Sequence, residues 1–332
     1  MKIITKRLFK LKIKSFQEID LYKMISNAPV LTVCISSYNR ADSLLNCLRS
    51  LFLLDDLVFE VLVLDDGSNP PLFNFVEEKL CLKIRGNLRI IRHSKNLGYI
   101  GSRNEMARIA RSQFILSLDD DSSLYNLESV AQAIEILEKD SELGAVAFAQ
   151  VNQNGHRFSK IVQPAPVLYD SYIPTFFGYG ALIRRDLFLH LGGYRKTLVC
   201  YGEENDYCKR LLDAGFKVVY LPNCVVIHSH SPIGRDEFKK LTFGIRSACF
   251  EAIMNEPLPL FFITIPIRLF FYFRKSRALR KHMKPTDRLG VWWVLMQIKK
   301  MMRLLWLNRK PLKWSTYFEW RKTKKRLPHY AR

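Results

Sequence analysis

At 332 residues with 48% apolar side chains, the chain can hold one large α/β domain plus an appendage, or two modest domains, and its apolar content argues against wholesale disorder. Its net charge of +21 is uneven: residues 1–27 carry seven Lys/Arg against two acids and residues 268–332 twenty against two, leaving 25 basic and 27 acidic residues in a near-neutral middle. Seven cysteines with no C-x-x-C pair argue against a disulfide framework or a zinc site and favour a reducing cytosol.

The basic leader, residues 1–27, is interrupted by lysines every few positions and lacks the apolar core of a signal peptide. Val30–Ser36 then forms a β-rich apolar run, followed by Ser37-Tyr38-Asn39-Arg40 and an amphipathic stretch, Ala41–Leu54. Phe59–Leu64 is the next strand candidate and runs straight into Asp65-Asp66-Gly67-Ser68. A helical segment (Leu72–Leu82) and a short strand (Leu88–Arg92) lead to a Gly-punctuated loop, His93 to Asn104, and another helix. Phe114-Ile115-Leu116 reads as a buried strand ending at Asp119-Asp120-Asp121, ahead of a helix over Leu124–Lys139.

Strands alternating with helices in this way imply right-handed βαβ units and a mainly parallel sheet with helices on both faces. Such sheets bind ligands beyond the carboxyl ends of their strands. Three of those ends carry polar clusters here: Ser36–Tyr38, Asp65-Asp66 and Asp119–Asp121. Taken alone, the acidic triplet could be a solvated turn or a helix cap. Adjacent like charges are costly unless a cation meets them, and Mg²⁺ or Mn²⁺ sits well between carboxylates and phosphates.

Beyond residue 150 the pattern changes. Gly144–Val151 and Phe158–Val162 look like antiparallel strands, Phe176–Ile183 is an aromatic segment interrupted by glycines, and Gly192-Gly193-Tyr194 is a turn. Glu203-Glu204 opens a helix that closes at Gly215, and the strand candidates Lys217–Tyr220 and Cys224–Ile227 deliver His228 and His230. The expected organisation is a leader (1–27), one α/β domain (28–255, halves 28–150 and 151–255) and a basic aromatic helical tail (256–332). No segment reaches the roughly 20 apolar residues of a spanning helix; the nearest, Leu258–Phe273, is broken by Pro259, Pro266 and Arg268.

Six pieces over about residues 30–230 stand in a telling order: I-S-S-Y-N-R, L-D-D-G-S, N-L-G-x-x-G-x-R-N, L-D-D-D, G-G-Y and E-E-x-D-x-x-x-R, followed by a His. Together they resemble the inverting glycosyltransferases of the GT-A type, family 2, which include rhamnosyl-, glucosyl- and galactofuranosyltransferases. The resemblance implies a GT-A, Rossmann-like fold with a basic C-terminal helical extension. It also implies metal-dependent transfer of one sugar from a UDP- or dTDP-sugar to a glycan or lipid-linked acceptor, in bacterial surface polysaccharide or lipopolysaccharide synthesis.

Under that resemblance, Ser36, Tyr38 and Asp66 belong to the nucleoside pocket, Arg40 is a further donor-binding candidate, and Asn96, Gly98, Gly101, Arg103 and Asn104 lie beside the ribose or phosphates. Asp119 faces the ribose and shares a Mg²⁺ or Mn²⁺ with Asp121, and His228, or less favourably His230, completes the ligand set or contacts a phosphate. Glu204 aligns with the family's base, where Asp is usual; Glu203 and Asp206 are the alternatives, although Asp206 and Arg210 are spaced for an ion pair on one helix face.

The tail combines Trp, Phe and Leu with twenty Lys/Arg, as interfacial helices do. It points to an anionic membrane surface, on the cytoplasmic face, in preference to nucleic acid or a protein partner. A sugar-nucleotide pyrophosphorylase would want a Gly-rich phosphate loop, which Ser37–Arg40 is not; a catalytically silent, carbohydrate-binding relative stays open because of Glu204.

Overall fold

The computed structural model describes residues 29–54, 59–80, 87–157, 163–229, 236–281 and 290–331. The basic leader, the strand expected over Phe158–Val162, and His230 lie outside the described residues.

Four parallel strands form the first half: β1 (Leu31–Ser37), β2 (Phe59–Asp65), β3 (Leu88–Arg92) and β4 (Phe114–Asp119). Their apolar runs alternate between two cores, as the two-residue period of a strand requires. Val33, Ile35, Val61, Val63, Leu116 and Leu118 point into one core, with α1 (Ala41–Ser50), α2 (Leu72–Lys79) and α4 (Leu127–Lys139). Cys34, Leu62, Leu64 and Ile115 point into the other, with α3 (Tyr99–Ile109). Parallel strands need this cover on both faces, which explains the near-continuous Val/Ile/Leu content.

The second half adds β5 (Ser122–Leu124), β6 (Leu143–Val151), β7 (Ser171–Ile173), β8 (Gly180–Arg184) and β9 (Lys217–His228), with α5 (Arg185–His190) and α6 (Glu203–Asp213) between them. The sheet order is β3–β2–β1–β4–β8–β6–β9–β5, with β7 also on β9. A mixed α/β sheet flanked by helices, with C-terminal helices behind it, is the expected fold.

Three local expectations change. Gly144–Val151 does form a strand, but it runs parallel to β9 and antiparallel to β8. The two strands read around Pro222 are one, bulged where the register shifts. Leu124 belongs to β5, and the helix after it starts only at Leu127, where the Asn126 side chain accepts from Ser129 N.

The tail packs back on the domain. After α7 (Glu237–Asn255) come α8 (Leu260–Arg280), α9 (Val291–Leu307) and α10 (Trp314–Arg326). Phe261, Val294 and Leu305 enter the second core, and Pro328 O accepts from Tyr172 N at 2.8 Å. A buried ion pair, Lys209 Nζ to Glu251 Oε1 at 2.7 Å, joins α6 to α7. The Lys209 ammonium also lies 4.1 Å from the Trp320 ring of α10. Burial alone would raise the Glu251 carboxyl; Lys209 and Arg268 outweigh it and hold it below the usual range. Breaking such a pair strands a buried charge at about 3–5 kcal/mol, whereas replacing both partners is far cheaper. Lys209→Met is therefore expected to lower the urea midpoint sharply, and Lys209→Met/Glu251→Leu to recover much of the loss. Additive losses in the double variant would contradict this coupling.

Candidate active site

Strand β4 brings the triplet to the surface at the C-terminal edge of the parallel sheet. The chain turns through Asp120-Asp121 and re-enters the sheet as β5, antiparallel to the end of β9, with Ser122 opposite His228. Ser229 N donates to Asp121 O at 2.9 Å, which ties the turn to the end of β9. This register is what delivers a histidine 107 residues away to the acids. Asp119, Asp121 and His228 each offer a ligand atom, all within 4.8 Å of one another.

The three acids have different partners. Asp119, about a third exposed, receives Arg103 Nη2 at 2.5 Å. Asp120 is buried and accepts from Ser37 Oγ at 2.8 Å and Arg40 Nη1 at 3.0 Å. Burial, opposed by Arg40, pushes its carboxyl up to about 6. Asp121 shares Arg40 at 3.8 Å and meets His228 Nε2 at 3.1 Å.

The other ring nitrogen of His228 lies 2.9 Å from Gln150 Oε1. With that oxygen as acceptor, Nδ1 carries the proton, and Nε2 presents its lone pair to a carboxylate oxygen. Two facing acceptors need a cation or a proton between them, so this donor set fits a divalent metal. Gln150 would orient its imidazole ligand from behind.

Arg103 is the centre of the opposite wall. It projects from α3, stacks against the Tyr99 ring with its guanidinium carbon 5.0 Å away, and lies 3.7 Å from Glu203 and 3.8 Å from Glu204. Its Nη2 also reaches Gly178 O at 3.4 Å. A Cβ at Gly178 would sit 2.4 Å from Arg103 Nη1, so only glycine admits the guanidinium there. The Gly178 N–H donates to Glu204 Oε1 at 3.1 Å.

Both glutamates start α6 after Gly202, which adopts a left-handed φ of +88°. Acids in a first turn also complement the helix dipole. Glu203 is almost fully buried with one oxygen lacking a hydrogen bond. Burial and then the Glu204 charge raise its carboxyl well above the usual range, outweighing Arg103. Glu204 is the more open of the two, at 17% exposure.

Other motif residues build the scaffold. Asp65 accepts from Ser68 N and Leu72 N, capping the turn and α2. Asp66 is turned inward: it accepts from Leu97 N at 2.9 Å and Gly98 N at 2.8 Å, and pairs with His93 Nδ1 at 2.8 Å. A Cβ at Gly67, itself at φ +82°, would lie 2.7 Å from the Lys95 backbone, so the 93–98 loop packs directly on this turn.

Ser36 is half-buried beside Asp119 in the sheet register, and the Tyr38 ring is 45% exposed at the same edge. Arg40, a donor-site candidate, faces Asp120 and Asp121, because β1 and β4 are neighbours. The Asn96 side chain accepts from Gly98 N. Asn104 pairs with the Tyr194 backbone through both amide atoms, locking α3 to the Gly192–Tyr194 turn. Asp206 is fully buried between Arg195, Arg210 and Asn255, so the expected ion pair with Arg210 forms.

Residues 32–192, just under half of the chain, match the family described as Glycosyl transferase family 2. That stretch is similar to a glycosyltransferase domain of that family. It is 24% identical over 179 residues to a glycosyltransferase of Rickettsia conorii, covering 50% of this chain and 28% of that protein. It is 25% identical over 240 residues to the pre-mycofactocin glycosyltransferase of Mycobacterium tuberculosis, covering 68% of this chain and 48% of that one. Among solved structures, it resembles a Pyrobaculum calidifontis mannosyltransferase in complex with GDP-Man and Mn²⁺. The TM-score is 0.54 at 18% identity, over 91% of this chain and 88% of that one. The chain spans only about a quarter to a half of the length of these two curated relatives.

His93 was not singled out from the sequence, because a lone histidine in a loop carries no pattern. It links Asp66 to Glu105, with Nε2 3.0 Å from Glu105 Oε2. Burial alone would lower its pKa, but the hydrogen bonds to Asp66 and Glu105 outweigh it, and the net shift is upward. A raised folded-state value means that the stabilisation is fully present below the ordinary histidine pKa of about 6.5 and is lost as pH rises through the folded value. The stability difference between wild type and His93→Gln is therefore expected to be larger at pH 6 than at pH 9 in urea unfolding. An equal or opposite difference would contradict the double pairing.

Proposed function

We propose that the chain transfers one sugar, with inversion, from a nucleoside diphosphate donor to a hydroxyl of a glycan or lipid-linked acceptor, in assembly of a bacterial surface polysaccharide or lipopolysaccharide. The observation that carries this reading is the pairing of two oppositely equipped walls at one sheet edge. Asp119, Asp121 and His228 form a cation site, and Glu203 and Glu204 form a carboxylate pair across Arg103. The archaeal mannosyltransferase of the same fold is described with a nucleotide sugar and Mn²⁺, which supports a donor and a metal here.

The donor diphosphate would lie over the Asp119–Asp121 turn, with Ser36 and Tyr38 toward the nucleoside and the 93–98 loop, held by Asp66, beside the ribose. The UDP or dTDP assignment rests on the motif resemblance. A bound Mg²⁺ or Mn²⁺ would offset the charge that grows on the leaving diphosphate. The imidazole ligand favours Mn²⁺, since Mg²⁺ prefers an all-oxygen shell.

Glu204 would take the acceptor hydroxyl's proton as that oxygen attacks the anomeric carbon. The anomeric C–O bond to phosphate breaks, and its electron pair leaves with the nucleoside diphosphate. Glu204 suits the role because it is more open than Glu203, while Gly178 N–H and Arg103 fix its first oxygen. Asp206 does not suit it, since two arginines and Asn255 already surround its carboxylate.

Asp121→Ala is expected to abolish release of nucleoside diphosphate from a donor panel assayed with Mg²⁺ and Mn²⁺. Full activity under complete chelation would overturn the metal assignment. Glu204→Gln is expected to lower kcat by about 10²- to 10⁴-fold with donor Kd nearly unchanged; lost donor binding would instead mark Glu204 as structural.

The tail supports a place at the membrane surface. Phe262, Phe270, Trp292 and Trp306 are each more than half exposed, among Arg274, Lys275, Arg277, Lys299, Lys300 and Arg303. No helix of the described residues is long and apolar enough to cross a membrane. Exposed aromatics with basic neighbours suit the interface of an anionic leaflet, where each Lys/Arg adds roughly 1 kcal/mol. The expected site is the inner face of the cell membrane. Because these helices also bury Phe261, Val294 and Leu305, point changes are the better test than truncation. Phe270→Glu/Trp306→Glu is expected to end co-sedimentation with phosphatidylglycerol liposomes at unchanged melting temperature. Continued sedimentation would sink the membrane reading.

A further inference from the structure

A groove of about 700 Å³ lies between α7 and α8, separate from the Asp119–Glu204 site. Leu241 and Ile245 of α7 and Phe271 of α8 line it together with Lys240 and Lys275. Glu237 is the one acid of the lining and pairs with Lys240 at 3.7 Å. Among the described residues, no carboxylate lies within 4.0 Å of Lys275.

The groove has a built-in opening. Gly244 belongs to its lining, in the middle of a 19-residue helix. Glycine destabilises a helix interior relative to alanine, yet a Cβ at this position would meet nothing within 4 Å. Nothing in the packing demands a glycine, and its absent side chain leaves the space clear.

Phe271, 55% exposed, stands beside Phe270, one of the aromatic residues assigned to the membrane. Tyr201, two residues before Glu203, also lines the groove. Tyr201 and Val199 are held at φ +63° and +62°, in a region unfavourable for any side chain and especially for a β-branched one. Tyr201 N donates to Tyr99 Oη at 2.8 Å, and the Tyr99 ring backs Arg103. A strained segment therefore runs from the lining of the groove to the start of the helix that bears the proposed base.

We propose that the groove takes the hydrocarbon chain of a phosphorylated single-chain lipid bearing the acceptor sugar. Lys240 and Lys275 hold the phosphate, and the sugar passes Tyr201 toward Glu204. The assignment rests on the transferase reading given above, which supplies the reason for a sugar at Glu204. A phosphate-bearing chain is chosen because the lining is apolar and its two lysines outnumber the one glutamate.

The test uses the full chain and decyl phosphate below its micelle concentration, titrated calorimetrically. Wild type is expected to bind it saturably at one site, at least tenfold more tightly than inorganic phosphate or the neutral decyl glucoside. Gly244→Leu, which fills the groove and improves the helix, is expected to weaken binding at least tenfold at unchanged melting temperature, as is Lys240→Gln/Lys275→Gln. Equal binding by Gly244→Leu would overturn the proposal. So would complete displacement of decyl phosphate by phosphatidylglycerol vesicles at matched phosphate, which would assign the groove to bulk diacyl lipid. Nucleoside diphosphate release from the donor is measured on the same preparations. Release without decyl phosphate binding overturns the groove assignment alone, and binding without release overturns the transferase reading alone.

Discussion

The site depends on one buried cation. Arg103 is nine-tenths buried and surrounded by three carboxylates within 4 Å, Asp119, Glu203 and Glu204. Those acids come from a strand end and a helix start more than 80 residues apart in sequence. Without a cation, their mutual repulsion in a poorly solvated pocket would cost several kcal/mol. The planar guanidinium can hold carboxylates on several edges at once, which a lysine ammonium cannot do in fixed geometry. Tyr99 beneath it and Gly178 in front of it then fix its plane. The position of the proposed base relative to the proposed metal ligands is set by this one side chain.

The parallel half of the fold was legible because strands buried on both faces read as apolar runs and their polar ends as clusters. Asp119, Asp121 and His228 were legible as candidates, and the structure brings all three together. What could not be read was register. The short strand β5 looks like the start of a helix, since three residues carry too little periodicity to be told from one. Yet its pairing with β9 puts His228 on Asp121. Arg40 was legible from its motif as a donor-site candidate, and it is the adjacency of β1 and β4 that aims it at Asp120. Asn104 shows the same limit: the motif marks the residue, but only the fold shows that its amide grips the Tyr194 backbone.

The tail was legible as composition and not as structure. Twenty basic residues with scattered Trp and Phe suggest an amphipathic appendage, but helix α8 is apolar on much of its circumference and still contributes Phe261 and Tyr272 to the interior. Arg268 and Arg309 turn from surface charge into anchors: Arg268 pairs with Glu256 at 2.6 Å, and Arg309 bonds the Glu256 carbonyl at 2.6 Å. Part of the positive balance is thus structural, and only the remainder is available to a membrane.

The glutamate at position 204, where the resembling family usually has aspartate, is best understood together with Gly178. A glutamate reaches one methylene farther from the helix start than an aspartate would. That extra length could let the carboxylate wander, which would blunt a base whose proton transfer needs hydrogen-bond geometry. Here the Gly178 N–H holds one oxygen at 3.1 Å and Arg103 faces the same atom at 3.8 Å. The absent side chain at 178 is what lets both come that close. The longer acid and the glycine opposite it therefore work as a pair, and the substitution is compatible with a positioned base because the backbone across the pocket supplies the restraint.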